Sequence, residues 1–421
     1  MDKFVINGGK KLNGSVNVSG AKNATLALLP ASLLANGISE FRNTPKLNDV
    51  FTMLKLLKQL GAGYTFENGI VTLDTTLVDN FTAPYEHVKK MRASVYVLGP
   101  LLARYGEARV SLPGGCAWGP RPVNLHLEGL KRLGAEINLE DGYIIAKSKR
   151  LNGGKINFDI PSVGATGNIM MAACLAKGET IINNAAMEPE ITNLARYLIS
   201  MGAKIEGLNS SILHIQGVDF LNPANIDTIP DRIEAGTLLI AGAITKGKVN
   251  LTNVDIRHMY SLCEKLEATG VKLSYNSNSV TIDATDSELN SVDVITGPFP
   301  GYPTDMQAQW IVYMSVCNGT ATITDTIYRD RFTHVPELTR LGADITVKDN
   351  SAIVKGTNKL RGAKVMSTDL RASASLVLGG LAAEGTTEVL RIYHLDRGYE
   401  GLESKLGQLG ASIERVAGSE Y

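Results

Sequence analysis

The chain has 421 residues, 44% of them hydrophobic, with 42 Lys and Arg balanced by 42 Asp and Glu. That length calls for two or three domains with sizeable cores, and zero formal charge gives no bulk attraction to nucleic acid or to an anionic membrane. No run of ~18 uninterrupted apolar residues is present to span a bilayer, and Met1-Asp2-Lys3-Phe4 lacks the basic-then-apolar order of a secretory signal.

In chain order, a strand segment from Lys3 to Ser19 comes first. Ala24 to Ala35 follows, apolar almost all round, which reads as a buried helix. Gly37 ends it and a short strand begins. A second helix then turns through Leu60-Gly61-Ala62 into two alternating strands joined by Asn68-Gly69, a hairpin signal. The same succession recurs. The glycine after the second helix returns as Gly134, Gly202, Gly270, Gly342 and Gly410, at intervals of roughly 70 residues, which marks internal duplication. The glycine after the first helix returns as Gly106, Gly178, Gly247, Gly319 and Gly385. Both sets fall where a left-handed residue closes a helix, a position that glycine adopts without a Cβ clash. Further hairpin signals stand at Asp141-Gly142 and Asp349-Asn350, and Ser375 to Ala383 reads as another buried helix.

Six repeats of this kind predict an α/β protein of six βαβαββ units in two domains of three, with buried helices inside and sheets outside. Pro223 to Pro230 is the best candidate for a linker. The Lys3 to Ser19 segment is expected to close the ring of the last unit. A site is expected between the domains.

The second repeat departs most from the shared pattern. Pro113-Gly114-Gly115-Cys116-Ala117-Trp118-Gly119-Pro120-Arg121-Pro122 packs three prolines and three glycines around a cysteine near an arginine. Such a tract predicts a loop that covers a site, and a cation beside a thiol favours the reactive thiolate. An incidental surface cysteine is the bland alternative. Cys174, Cys263 and Cys317 lie in apolar helical runs and read as small buried side chains. Four cysteines without a C-x-x-C pair suit a reducing compartment, so a cytoplasmic location is expected.

Charged residues gather at the loops and helix starts of other repeats. Lys22-Asn23 and Arg92 each open a helix, Arg329 and Arg331 follow the strand at 320–324, Asp369 and Arg371 open the last buried helix, and Arg397 lies beyond it. Singly, each reads as a solvated charge. Their recurrence at equivalent places predicts an anion-binding cleft. Gly242 to Lys248 imitates a P-loop, but Val249 stands where the magnesium-binding hydroxyl belongs, and the tract ends a helix instead of opening one. No histidine spacing points to a metal.

Several tracts together resemble one family. They are Ser19-Gly20-Ala21-Lys22-Asn23-Ala24, Pro113-Gly114-Gly115-Cys116, Gly119-Pro120-Arg121-Pro122-Val123, Ser162-Val163-Gly164-Ala165-Thr166, Pro303-Thr304-Asp305-Met306-Gln307 and Asp369-Leu370-Arg371-Ala372. Along essentially its whole length the chain resembles the enolpyruvyl transferases that act on UDP-N-acetylglucosamine.

The resemblance implies the two-domain inside-out α/β barrel of that family. Residues 21–229 would form one domain carrying the Cys116 loop, and 1–20 with 230–421 the other, with the active site in the cleft between them. It implies transfer of the enolpyruvyl group of phosphoenolpyruvate to the sugar, without metal or organic cofactor, in a monomer or weak homo-oligomer. Lys22, Arg121 and Arg397 would hold phosphoenolpyruvate, with Arg92 facing its phosphate. Cys116 would protonate C3 of the enol and could form an adduct with phosphoenolpyruvate. Asp305 would take the proton of the sugar 3′-hydroxyl. Asn23, the run Arg121, Pro122, Val123, Asn124, Leu125 and His126, then Ser162, Val163, Gly164 and Ile327, would contact the UDP-sugar. Asp369, Arg371 and Arg331 would organise the cleft.

Asn124 departs from the acidic residue of many members, and Ile160 from the lysine of some, which bears on nucleotide affinity. Members with cysteine in the loop are expected to be alkylated by the epoxide fosfomycin. The alternative is 5-enolpyruvylshikimate-3-phosphate synthase, which shares the fold and donor but lacks the glycine-rich cysteine loop. A non-catalytic scaffold would show neither the special loop nor the clustered cations. RNA 3′-phosphate cyclase-like proteins use related repeats, but a net-neutral chain gives them no support.

Overall fold

The computed structural model describes residues 2–89, 91–112, 123–357 and 359–418. The chain divides into two compact units, one made of residues 20–229 and the other of 1–19 with 230–421. Each unit contains three four-stranded sheets among the described residues.

Five of the six sheets share one construction. The strand that leaves a buried helix pairs in parallel with a short edge strand on one side and antiparallel with a hairpin on the other. In the first, Ile38–Arg42 lies between Ile226–Asp227 and the hairpin Gly63–Glu67, Ile70–Asp74. The segment expected as a linker therefore supplies a strand to this sheet. The hairpin turn places Asn68 and Gly69 at φ of 47° and 76°, the left-handed pair that a two-residue loop needs.

The segment from Lys3 to Ser19 is not one strand. Lys3–Asn7 runs antiparallel between Thr386–Leu390 and Ser412–Val416 in the last sheet, the sixth. Asn13–Asn17 then pairs in parallel with Lys248–Thr252 as the edge of a different sheet. The break falls at Gly8 and Gly9. A Cβ at Gly8 would meet the Ala383 carbonyl at 2.1 Å, and Gly9 takes a φ of 82°.

Six helices line the two cores. Lys22–Ala31, Leu98–Tyr105 and Val163–Ala173 belong to one unit, and Arg232–Ile244, Gln307–Met314 and Leu370–Ala382 to the other. Residues 24–31 are all buried, as are 371–381, in keeping with their apolar circumference. Burying each Leu or Val among them contributes roughly 1.5–3 kcal/mol relative to exposure. Polar caps start three of the six. Ser162 Oγ accepts from Ala165 N, Asp231 from Ile233 N and Glu234 N, and Asp369 from Arg371 N and Ala372 N. The tract that imitates a P-loop is the end of Arg232–Ile244 and the start of Lys248–Thr252.

All six glycines after the second helix are left-handed, with φ from 88° to 108°. The other set holds with one correction. At Gly247 the left-handed residue is its neighbour Lys246, at φ 50°. Gly247 is required for a different reason, because a Cβ there would stand 2.1 Å from the Leu12 carbonyl.

Candidate active site

The described candidate residues gather largely at the starts of the buried helices. In the unit 20–229, Lys22 is the first residue of its helix and is buried, its Nζ 2.8 Å from Asp49 Oδ2. Asp49 lies in the first turn of the helix Asn48–Gln59. No sequence pattern marked it, because a carboxylate there is also an ordinary favourable partner for the helix dipole. Asn23 beside Lys22 is exposed.

Arg92 opens the 3₁₀ segment Arg92–Val97 that leads into Leu98–Tyr105. Tyr96 in that segment donates to the Val163 carbonyl at 3.3 Å. His126, on Asn124–Arg132, is buried and lies over Gly164, whose Cβ, if present, would be 3.1 Å from the ring. Burial, helped by the positive charge of Arg92, lowers His126 to about 4, so the ring is neutral. Arg92, His126 and the helix start at Ser162–Gly164 are thus brought together. Val123 and Leu125 are partly buried and Asn124 is exposed. Cys116, Arg121 and Pro122 lie outside the described residues.

In the other unit the centre is Asp305, in the 3₁₀ turn Thr304–Met306 ahead of Gln307–Met314. Arg331 Nη2 reaches its Oδ1 at 2.9 Å and Arg371 Nη2 its Oδ2 at 2.9 Å. Both arginine side chains are buried, at 7% and 5% exposure, while the Asp305 side chain keeps 26%. Burial would raise this carboxyl, but Arg371 and Arg331 outweigh it and hold the group well below the usual carboxylate range. Arg371 also lies 5.5 Å from the Tyr399 ring centroid and feels the charge of Asp231, so the three buried helices of this unit present their starts to one place.

Asp369 is spent largely on capping its own helix. Arg397 ends the 3₁₀ segment Ile392–Arg397, and both Asp369 and Arg397 act electrostatically on His394. Ile327 is 37% exposed on the loop after Thr320–Thr324. Asn168 and Asp325, which help to hold these side chains in place, carried no signal in the sequence, and Thr304 appeared there only as part of the tract around Asp305.

The thiols of Cys174, Cys263 and Cys317 are buried, which pushes each up to about 12. Among the described residues no group of three or more His, Cys, Asp or Glu side chains is placed to hold a metal, and no helix is long and apolar enough to cross a membrane.

The described candidate residues of the two units, each taken by itself, can therefore do two things. They offer buried guanidinium and ammonium groups at helix starts, suited to phosphate and carboxylate. They also offer one ionised carboxylate that can engage a hydroxyl.

Comparison with known proteins follows the same lines. The family model of EPSP synthase (3-phosphoshikimate 1-carboxyvinyltransferase) matches residues 6–406. UDP-N-acetylglucosamine 1-carboxyvinyltransferase of Chloroherpeton thalassium is 56% identical over 424 residues, covering 100% of this chain and 99% of its own. The protein of the same name from Geobacter metallireducens is 54% identical over 416 residues, covering 99% and 100%. Among solved structures, the enolpyruvyl transferase NikO from Streptomyces tendae superimposes with a TM-score of 0.91 at 25% identity, over 99% of both chains. EPSP synthase from Acinetobacter baumannii gives a TM-score of 0.78 at 18% identity, over 99% of this chain and 100% of that one, a likeness of fold alone. Matched by the family model along nearly its whole length, and more than half identical to relatives of one name from end to end, the chain belongs to the enolpyruvyl transferase family, among the UDP-N-acetylglucosamine 1-carboxyvinyltransferases.

Proposed function

We propose that the chain transfers the enolpyruvyl group of phosphoenolpyruvate to the 3′-hydroxyl of UDP-N-acetylglucosamine and releases phosphate, the committing step of peptidoglycan precursor synthesis in the cytoplasm. The observation that carries this is the 56% identity to a protein of that name along the whole chain. The 5-enolpyruvylshikimate-3-phosphate synthase reading rests on the family-level match over residues 6–406 and on a likeness of fold at 18% identity.

The reaction is an addition followed by an elimination. The sugar oxygen bonds to C2 of the enol while a proton goes to C3, giving a tetrahedral intermediate. Loss of that C3 proton and of phosphate then restores the double bond. Cys116 supplies the proton to C3, and Asp305 receives the one leaving the sugar hydroxyl. A positioned acid or base is typically worth ~10²–10⁴ in rate. Lys22, Arg121 and Arg397 hold the phosphate and carboxylate, Arg92 faces the phosphate, and their charge stabilises the departing phosphate. Asn23, Arg121 to His126, Ser162 to Gly164 and Ile327 bind the UDP-sugar. Asp369, Arg371 and Arg331 organise the site.

Asp305 between two guanidinium groups is a weak base as it stands. An anionic substrate that draws Arg331 or Arg371 toward itself makes it a stronger one. The side chains need no metal or organic cofactor for these steps.

The test is phosphate release from phosphoenolpyruvate with UDP-N-acetylglucosamine, alongside Cys116→Ser. Sugar-dependent release that collapses in the variant supports both the acceptor and the thiol acid. Release with shikimate 3-phosphate but not with this sugar sinks the acceptor assignment.

A further inference from the structure

Asp325 is wholly buried and directly follows the strand Thr320–Thr324. Its backbone is tied to the neighbouring hairpin. Its N–H donates to the Asn350 carbonyl at 2.8 Å, and its carbonyl accepts from Asn350 Nδ2 at 3.2 Å. A carboxylate this deep is costly unless donors fill its lone pairs, and here they come from two directions. Oδ1 accepts from the Thr296 hydroxyl and from the N–H groups of Ile327 and Tyr328, each at 2.9 Å. Oδ2 accepts from the Thr304 hydroxyl at 2.6 Å.

The second direction leads to the site. With its proton committed to Asp325, the Thr304 oxygen keeps a lone pair for Arg331, whose Nη1 donates to it at 3.0 Å. Nη2 of the same guanidinium pairs with Asp305. Arginine is a long side chain with a fixed planar fork, and two fixed acceptors determine where that fork lies.

We propose that Asp325 is a positioning residue for the transfer, with one carboxylate oxygen setting the Ile327 backbone for the sugar nucleotide and the other setting Arg331 against Asp305 through Thr304. This rests on the function proposed above. It makes one buried group responsible for two separable properties, acceptor binding and the chemical step.

The experiment separates the two arms. Thr296→Val removes a donor from the loop arm and is expected to raise KM for UDP-N-acetylglucosamine roughly tenfold while leaving kcat little changed. Thr304→Val cuts the Arg331 arm and is expected to lower kcat roughly ten- to a hundredfold with little change in KM. Thr304→Ser keeps the hydroxyl and restores kcat. Asp325→Asn shows both defects. Thermal unfolding of each variant, with the serine rescue, separates positioning from loss of fold. The proposal is overturned if Thr296→Val and Thr304→Val move the same constant, if the serine variant is as slow as the valine, or if Asp325→Asn moves neither. Crystals of Thr304→Val decide independently of turnover. Arg331 still seated on Asp305 as in the parent overturns the relay, and a displaced guanidinium supports it. Whether the parent protein turns over phosphoenolpyruvate with this sugar reports on the proposed function alone.

Discussion

The side-chain amide nitrogen of Asn168 donates to His126 Nδ1 at 3.0 Å, which leaves the neutral imidazole with its proton on Nε2. Asn168 is itself anchored twice more. Its nitrogen donates to the Val95 carbonyl at 2.9 Å, and its oxygen accepts from Gly99 N at 2.6 Å. The Nε2–H donor therefore stands beside Gly164, in the part of the site assigned to the UDP-sugar. Asn168→Asp offers Nδ1 only an acceptor and reverses the tautomer or charges the ring. It is expected to raise KM for the UDP-sugar about tenfold, the worth of one hydrogen bond to a charged partner. Imidazole ¹⁵N shifts of His126 check the cause, since an Nε2–H tautomer retained in the variant contradicts it.

Two buried histidines make the fold sensitive to acid. Burial, with Arg92 for one and Arg331 for the other, lowers His126 to about 4 and His334 to about 3. Among the described residues His334 Nε2 has no hydrogen-bond partner. In the unfolded chain both titrate near 6.5, so between that value and their folded values the unfolded state binds the extra proton. Their contribution is complete above about pH 6.5 and is lost as pH falls towards the folded values. Each histidine is expected to remove about 2 kcal/mol between pH 7 and pH 5. Urea unfolding of wild type and His334→Gln at the two pH values measures it. An identical pH dependence in both proteins would mean that His334 does not stay neutral in the fold.

Asp305 makes the opposite demand on its partners. Asp305→Asn keeps the shape but loses the charge that Arg331 and Arg371 face, and kcat is expected to fall by ~10²-fold or more. Because the two guanidinium groups hold the free carboxyl well below its usual range, the acid limb of kcat/KM is expected to belong to some other group. A pH profile of kcat/KM whose acid limb disappears in Asp305→Asn would contradict that.

Cys116 differs from the other three cysteines in its surroundings in the sequence. Burial pushes Cys174, Cys263 and Cys317 up to about 12, so they should resist alkylation at neutral pH. Fosfomycin is expected to add once per chain and to inactivate the enzyme, and Cys116→Asp to remain active and unmodified. Intact-mass spectrometry counts the adducts, and a labelled Cys116→Asp protein would place the reaction elsewhere.

What could be read in advance was local. A left-handed residue after a helix selects glycine through its missing Cβ, so Gly61, Gly134, Gly202, Gly270, Gly342 and Gly410 announced the repeat. Lys246 shows the limit of that rule, because a left-handed position there is held by a lysine at φ 50°. Helix starts carrying Lys22, Arg92 and Arg371 were legible for the same local reason. Asp49, Asn168 and Asp325 were not. Each takes its meaning from a partner distant in sequence (Lys22, His126, Thr304), and a single buried polar residue in a strand or helix looks the same whether it supports a site or only a turn. The double role of the Lys3 to Ser19 segment was hidden similarly, since alternation shows that a segment pairs but not with which sheet.

The position of Lys3–Asn7 between Thr386–Leu390 and Ser412–Val416 sets an order of assembly on the ribosome. Residues 20–229 hold all the strands of their own three sheets and can close while the rest of the chain is still being made. Lys3–Asn7 must instead wait for two strands that are made far later, Thr386–Leu390 and Ser412–Val416. At about 5–20 residues per second, that leaves Phe4 and Ile6, both destined for full burial, without their partners for roughly 20–80 s. A nascent-chain holdase that covers this N-terminal segment is therefore expected to affect yield more than one that binds the middle of the chain, and arrested chains lacking the last strand should show a protease-resistant 20–229 core with a cleavable amino end.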